Sequence, residues 1–173
     1  MRMFIAIPLP RYIEDMVCKV QGELEGRCAG GRFVPMGNHH ITLHFFGEEN
    51  DLSSICDAMH EAVRDAKPFL LKLSDVGFFR HGSTSTGFLN LTGQTAELFR
   101  IYDLLEAALL DRGFVRGKTK LHPHITLGRA LSSEDVSGIE VVKEGFIVNS
   151  IVLYESLLSW GEPSYMPLHM EIF

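Results

Sequence analysis

A chain of 173 residues, 46% hydrophobic and 22% charged, has the make-up of a soluble globular protein and is long enough to bury a core without disulfides. Its formal net charge of −6 argues against broad, sequence-blind binding to long nucleic acid, which needs many cation–phosphate contacts. The three cysteines, Cys18, Cys28 and Cys56, are odd in number and fit no zinc spacing. They read as reduced thiols of an intracellular protein, with the cytoplasm as the expected compartment.

The first apolar run, Phe4-Ile5-Ala6-Ile7, is cut by Pro8 and Pro10. It is too short for a signal peptide or a membrane span and reads as a first strand over Arg2 to Ile7. Ile13, Met16, Val17, Val20 and Leu24 then recur at the spacing of one helical face. The Gly30-Gly31 pair fits a turn, and a strand follows over His39 to Phe46. Asp51-Leu52-Ser53 supplies a cap for a second helix, whose face of Ile55, Met59, Ala62, Val63 and Ala66 is ended by Pro68.

Strands over Phe69 to Val76 and Gly87 to Leu91 lead to a third helical face, Leu98, Ile101, Tyr102, Leu105, Ala108 and Leu109, stopped at Gly113. Strands over Leu121 to Leu127, Phe146 to Tyr154 and Met166 to Ile172 complete the chain. Helices and strands are mixed, with several adjacent strands joined by short turns. That order predicts an α+β fold with antiparallel pairing, in one domain spanning 1–173 without a low-complexity linker.

One internal echo stands out. His-Ile-Thr-Leu occurs at His40 to Leu43 and again at His124 to Leu127. Alternate side chains of a strand share a face. His40, Thr42 and His44 are therefore expected on one side, with Ile41, Leu43 and Phe45 on the other; His122, His124 and Thr126 form the matching polar face of the second copy. Two imidazoles flanking one small group supply an acid and a base near neutral pH, and hydroxyls beside them suit phosphate oxygens. Opening a cyclic phosphodiester needs that set and no metal. His39 should face away from His40. Arg112, Arg116, Lys118 and Lys120 lead into the second motif and Arg129 follows it, a local cationic stretch that suits one or two phosphates. A metal site using His40 and His44, or His122 and His124, is the rival reading. The spacing of the first pair is a metalloprotease's only on a helix, and position 41 is Ile where that chemistry needs Glu.

Asn38 to Gly47 and Pro123 to Arg129 together resemble the two HxTx signatures of the two-histidine (2H) phosphoesterases, and most closely the 2′-5′ RNA ligase-like RNA 2′,3′-cyclic phosphodiesterases. Arg2 to Ile7 is similar to that group's opening strand. Leu153-Tyr154-Glu155-Ser156-Leu157, with Gly161 and Tyr165, is similar to its closing segment. The resemblance implies a bilobal fold: two antiparallel-rich sheets with flanking helices, related by a pseudo-twofold, and an active-site cleft between the lobes. It implies His40 as the acid protonating the 3′ oxygen and His124 as the base activating water. Thr42, Thr126 and Arg129 would bind substrate phosphate, with no cofactor and no metal.

The implied substrate is an RNA or oligonucleotide end bearing a 2′,3′-cyclic phosphate, opened to a 2′-phosphomonoester, with 2′-5′ ligation as a further activity. No membrane and no obligate protein partner are implied. Two positions depart from the pattern: residue 39 is usually apolar, and the segment Gly82 to Leu91 carries Ser85 and Phe88 where an Arg and a Trp are usual. A small cyclic phosphate such as ADP-ribose 1″,2″-cyclic phosphate, or nucleotide binding without catalysis, remain alternatives.

Overall fold

A computed structural model describes residues 1–117 and 120–173 of the chain. The strands, β1 (Arg2–Pro8), β2 (Gly30–Phe33), β3 (His40–Glu48), β4 (Phe69–His81), β5 (Thr84–Gly93), β6 (His124–Leu131), β7 (Gly145–Val148), β8 (Ser150–Ser159) and β9 (Glu162–Ile172), form two sheets. One has the order β3-β1-β8-β9 and the other β2-β6-β5-β4-β7, and every pairing is antiparallel. With helices α1 (Arg11–Glu25), α2 (Leu52–Val63) and α3 (Thr95–Asp111), this is the expected bilobal α+β architecture. Among the described residues no helix is long and apolar enough to cross a membrane.

The helices form where the apolar spacing places them. The α1 face of Ile13, Val17, Val20 and Leu24 is buried, and Leu24 reaches β5, where a Cβ on Gly87 would stand 3.0 Å from its Cδ2. At the start of α2, Asp51 accepts a hydrogen bond from the Ser54 amide (3.1 Å), satisfying one of the amides that a helix start leaves free. The helices α2 and α3 pack on each other, and Ile55, Met59, Leu98, Ile101 and Leu105 join Met3, Ile5, Ile7, Ile41 and Leu153 in one core.

Several expectations change. Gly30 and Gly31 do not form a turn: both have positive φ (69° and 89°) but lie in β2, paired with the end of β6. A Cβ on Gly31 would sit 2.5 Å from Leu131 Cδ2 and 2.8 Å from the Arg129 carbonyl, so close approach to β6 is what requires glycine there. The run Phe146 to Tyr154 is two strands, since the chain changes sheets at Asn149; β7 pairs with β4 and β8 with β1. The second motif strand starts at His124 rather than Leu121 and continues to Leu131.

Candidate active site

The two motif strands meet across the cleft from opposite sheets, β3 on the edge of the first and β6 inside the second. In each, the residues after the histidine alternate as a one-sided strand requires. Ile41, Leu43, Ile125 and Leu127 are buried, while His40, Thr42, His124 and Thr126 are partly exposed. Burying apolar side chains on one face is what turns the polar set outward, at about 1.5–3 kcal/mol for each Ile or Leu.

The histidines are held alike. His40 Nδ1 donates to the Asn38 carbonyl (2.7 Å), and His124 Nδ1 donates to the His122 carbonyl (2.6 Å). A carbonyl accepts only, so each Nδ1 carries the proton and each neutral ring keeps its lone pair on Nε2. His40 Nε2 lies 2.9 Å from Thr42 Oγ1. Burial pushes the His40 imidazole below the ordinary histidine range; its carbonyl bond opposes this, and the charges of His39, Arg129 and His124 reinforce it. Burial likewise lowers His124, against its own carbonyl bond, with His122 and Arg129 adding to the effect. Arg129 is exposed and acts on both imidazoles.

Aromatic rings back each histidine. Phe4, on β1, lies 5.0 Å from the His40 ring and edge-on to Tyr165 (4.9 Å), which itself stands 5.4 Å from His40. Phe88, on β5, stacks on Phe79 at 4.1 Å, and both meet His122 and His124 edge-on at 5.2–5.4 Å. So each motif strand pairs with a neighbour that supplies a phenylalanine beneath its histidine, a local expression of the pseudo-twofold. Phe88 thus backs both His122 and His124. Ser85 is turned away and donates to Glu134, which also holds Arg80 (3.0 Å).

His44 does not share the face of His40. The β1–β3 register runs Ala6 to Thr42 and then Ile5 to His44, leaving Leu43 as an extra residue. That bulge reverses the alternation. Phe45 becomes exposed, and His44 is buried with its Nδ1 against Glu106 of α3. His39 faces away from His40 as expected. It is buried, 2.6 Å from Glu14 and 2.5 Å from the Gln21 side-chain oxygen.

A cleft of about 1100 Å³ opens from the site, with Thr42 and His124 in its lining. His40, Thr126 and Arg129 lie outside that lining, and His40 adjoins it through Thr42. Its walls carry Phe45, Phe46, Phe79 and Phe114 together with Arg80, Arg116 and Lys120. Of the cationic stretch, Arg112 is committed to the fold through Glu61 (2.9 Å) and the Ala108 carbonyl (2.9 Å). Lys118 lies outside the described residues. Phe4, Phe79, Tyr165 and Asn90, which accepts a hydrogen bond from His122 Nε2 at 3.0 Å, are the site residues that sequence reasoning did not name as such. Only strand pairing brings them here, although a phenylalanine on the strand beside each motif was the available signal.

Comparison with known proteins identifies the family. The family model described as the 2′-5′ RNA ligase superfamily matches residues 33–156, and the chain belongs to that superfamily, the two-histidine phosphoesterases. The RNA 2′,3′-cyclic phosphodiesterase of Thermotoga maritima is 28% identical, over 98% of this chain and 94% of the relative. That of Aeropyrum pernix is 30% identical, over 76% of this chain and 80% of its own length. The crystal structure of E. coli LigT complexed with 3′-AMP superposes with a TM-score of 0.83 at 26% identity, covering 99% and 97% of the two chains.

Proposed function

We propose that residues 1–173 form a single phosphodiesterase domain that opens RNA 2′,3′-cyclic phosphate ends to 2′-phosphomonoesters without a metal. The observation that carries this reading is the matched pair of imidazoles, each with Nδ1 fixed to the carbonyl two residues before it (2.7 and 2.6 Å), on strands that meet across one cleft. The names of the relatives, RNA 2′,3′-cyclic phosphodiesterases, support the same reaction.

In this scheme His124 Nε2, unprotonated, takes a proton from water as the oxygen attacks phosphorus. His40 Nε2, protonated, gives its proton to the departing ribose 3′ oxygen. The roles of acid and base follow the family resemblance. One ring must be charged and the other neutral at the same pH, while burial and Arg129 lower both. The anionic phosphodiester supplies the correction, because a negative charge beside His40 favours its protonated form. Thr42 and Thr126 donate to the non-bridging oxygens, where charge builds as the water attacks. Arg129 contributes a cation to the same phosphate. Joining 2′-5′ linkages would be the same ring opening with an RNA 5′-hydroxyl in place of water as the nucleophile, its proton taken by His124 and the 3′ oxygen again protonated by His40.

An oligonucleotide is favoured over a small cyclic phosphate by the cleft itself. Its mixture of phenylalanines with Arg80, Arg116 and Lys120 suits stacked bases and a charged backbone. The test is to treat the protein with a chelator and incubate it with a short RNA ending in a 2′,3′-cyclic phosphate. The expected product is the 2′-phosphate. A 3′-phosphate would reverse the leaving group, and activity that returns only with added metal would end the two-histidine scheme.

A further inference from the structure

We propose that Glu14, Cys18 and His39 form a zinc-binding site behind the catalytic strand, separate from the histidine pair. Glu14 and Cys18 are four residues apart on α1 and so share one helix face, and His39 faces them from the segment leading into β3. His39 Nδ1 lies 2.6 Å from Glu14 Oε1, Cys18 Sγ lies 3.8 Å from that oxygen, and sulfur and ring nitrogen are 4.0 Å apart. A tetrahedral zinc ion with bonds of about 2.0–2.3 Å sets its ligand atoms roughly 3.3–3.7 Å apart. Side-chain adjustments below about 1 Å convert one arrangement into the other. No other cluster of three such groups occurs among the described residues.

The surroundings are those of a metal ligand. Gln21 Nε2 donates to the Val34 carbonyl (2.7 Å), which turns Gln21 Oε1 toward His39 Nε2 at 2.5 Å. A histidine that binds metal through one nitrogen characteristically donates from the other to such an oxygen. Here Nε2–H has its acceptor, and Nδ1 also faces an oxygen, although a neutral ring has only one N–H to give. Nδ1 and Glu14 Oε1 thus face each other across a position that a cation can fill. The His39 side chain is wholly buried and that of Glu14 is 12% exposed, while Cys18 is partly exposed and leaves an approach from solvent for the ion and a fourth, water ligand.

Soft thiolate with imidazole and carboxylate selects zinc over magnesium or calcium. Binding balances as follows. The Cys18 thiol releases its proton to solvent, as does any proton held between His39 Nδ1 and Glu14, and the ion's two charges are met by the thiolate and the Glu14 carboxylate. The Gly37 amide already donates to Glu14 Oε1 (2.6 Å). The ion would thus fasten to α1 the loop whose Asn38 carbonyl receives His40 Nδ1. Turnover by the histidine pair does not require it.

The test uses Co²⁺ alone, added to the chelator-treated chain and followed by absorption. The expected result is a thiolate-to-cobalt charge-transfer band that saturates at one equivalent, is displaced by Zn²⁺, and accompanies release of protons. Cys18→Ser and His39→Gln should each abolish the band and the rise in unfolding temperature that Zn²⁺ gives the parent protein. Turnover of Cys18→Ser without metal should equal the parent's. Cobalt bound only at the histidine pair would lack the thiolate band. Absence of that band at equimolar Co²⁺, or its survival in Cys18→Ser, overturns the proposal. The metal readout is independent of which substrate the cleft takes.

Discussion

Replacing Glu106 with Ala should destabilise the protein more than any other single polar substitution near the cleft. Glu106 and His44 are both buried, at 2% and 4% exposure, and bind each other across α3 and β3. Glu106 also accepts from the Gly117 amide at 3.3 Å, in the loop that carries Arg116 to the cleft wall. Removing one partner of a buried pair leaves the other without compensation, at about 3–5 kcal/mol. The lost acceptor for Gly117 adds roughly 1 kcal/mol. For a chain of 173 residues each kcal/mol lowers the melting temperature by about 2–4 °C, so a fall of roughly 8–24 °C is expected. Urea unfolding of Glu106→Ala, His44→Leu and the His44→Leu/Glu106→Leu double variant measures it. The double variant removes both polar groups and should recover much of the loss, because an apolar pair of similar volume can equal a buried ion pair. A loss below about 1 kcal/mol in Glu106→Ala, or a double variant no more stable than the worse single, would refute the reasoning.

Two further predictions concern the site. Arg129 lowers both imidazoles, so Arg129→Ala should raise them. The acid must be protonated, so the alkaline limb of kcat/KM should move to higher pH while KM rises; an alkaline limb that stays in place or moves to lower pH would remove Arg129 from the site's electrostatics. Thr42→Val and Thr126→Val keep strand shape and delete a hydroxyl, and each should lower kcat by about 10²–10³ with little change in KM. Kinetics on the cyclic-phosphate RNA decide this, and a change confined to KM would make the hydroxyls binding groups that do not respond to the transition state.

What the sequence makes legible here is whatever local pattern determines. The faces of α1, α2 and α3 follow from apolar spacing alone, and the pairing of histidine with threonine two residues on follows from strand alternation. His44 departs because one extra residue opposite β1 reverses that alternation, and a bulge has no mark in a run as uniformly strand-forming as Ile41 to Phe46. Gly30 and Gly31 read as a turn because positive φ is commonest there, whereas the contact that requires glycine at 31 is with Leu131 and Arg129, about a hundred residues away. The change of sheets at Asn149 is hidden for the same reason: both strands are apolar, and only their partners distinguish them. The aromatic support of the two histidines, Phe4 with Tyr165 and Phe88 with Phe79, is assembled entirely by such long-range pairing.

The central claim is that two histidines, and nothing else, supply the acid and the base. Steady-state turnover of cyclic-phosphate RNA by His40→Ala and His124→Ala, each checked for native circular dichroism, tests it most directly. Each variant should keep its fold and lose about 10²–10⁴ in kcat, the contribution of one positioned proton-transfer group. Either variant folded and fully active would contradict the account.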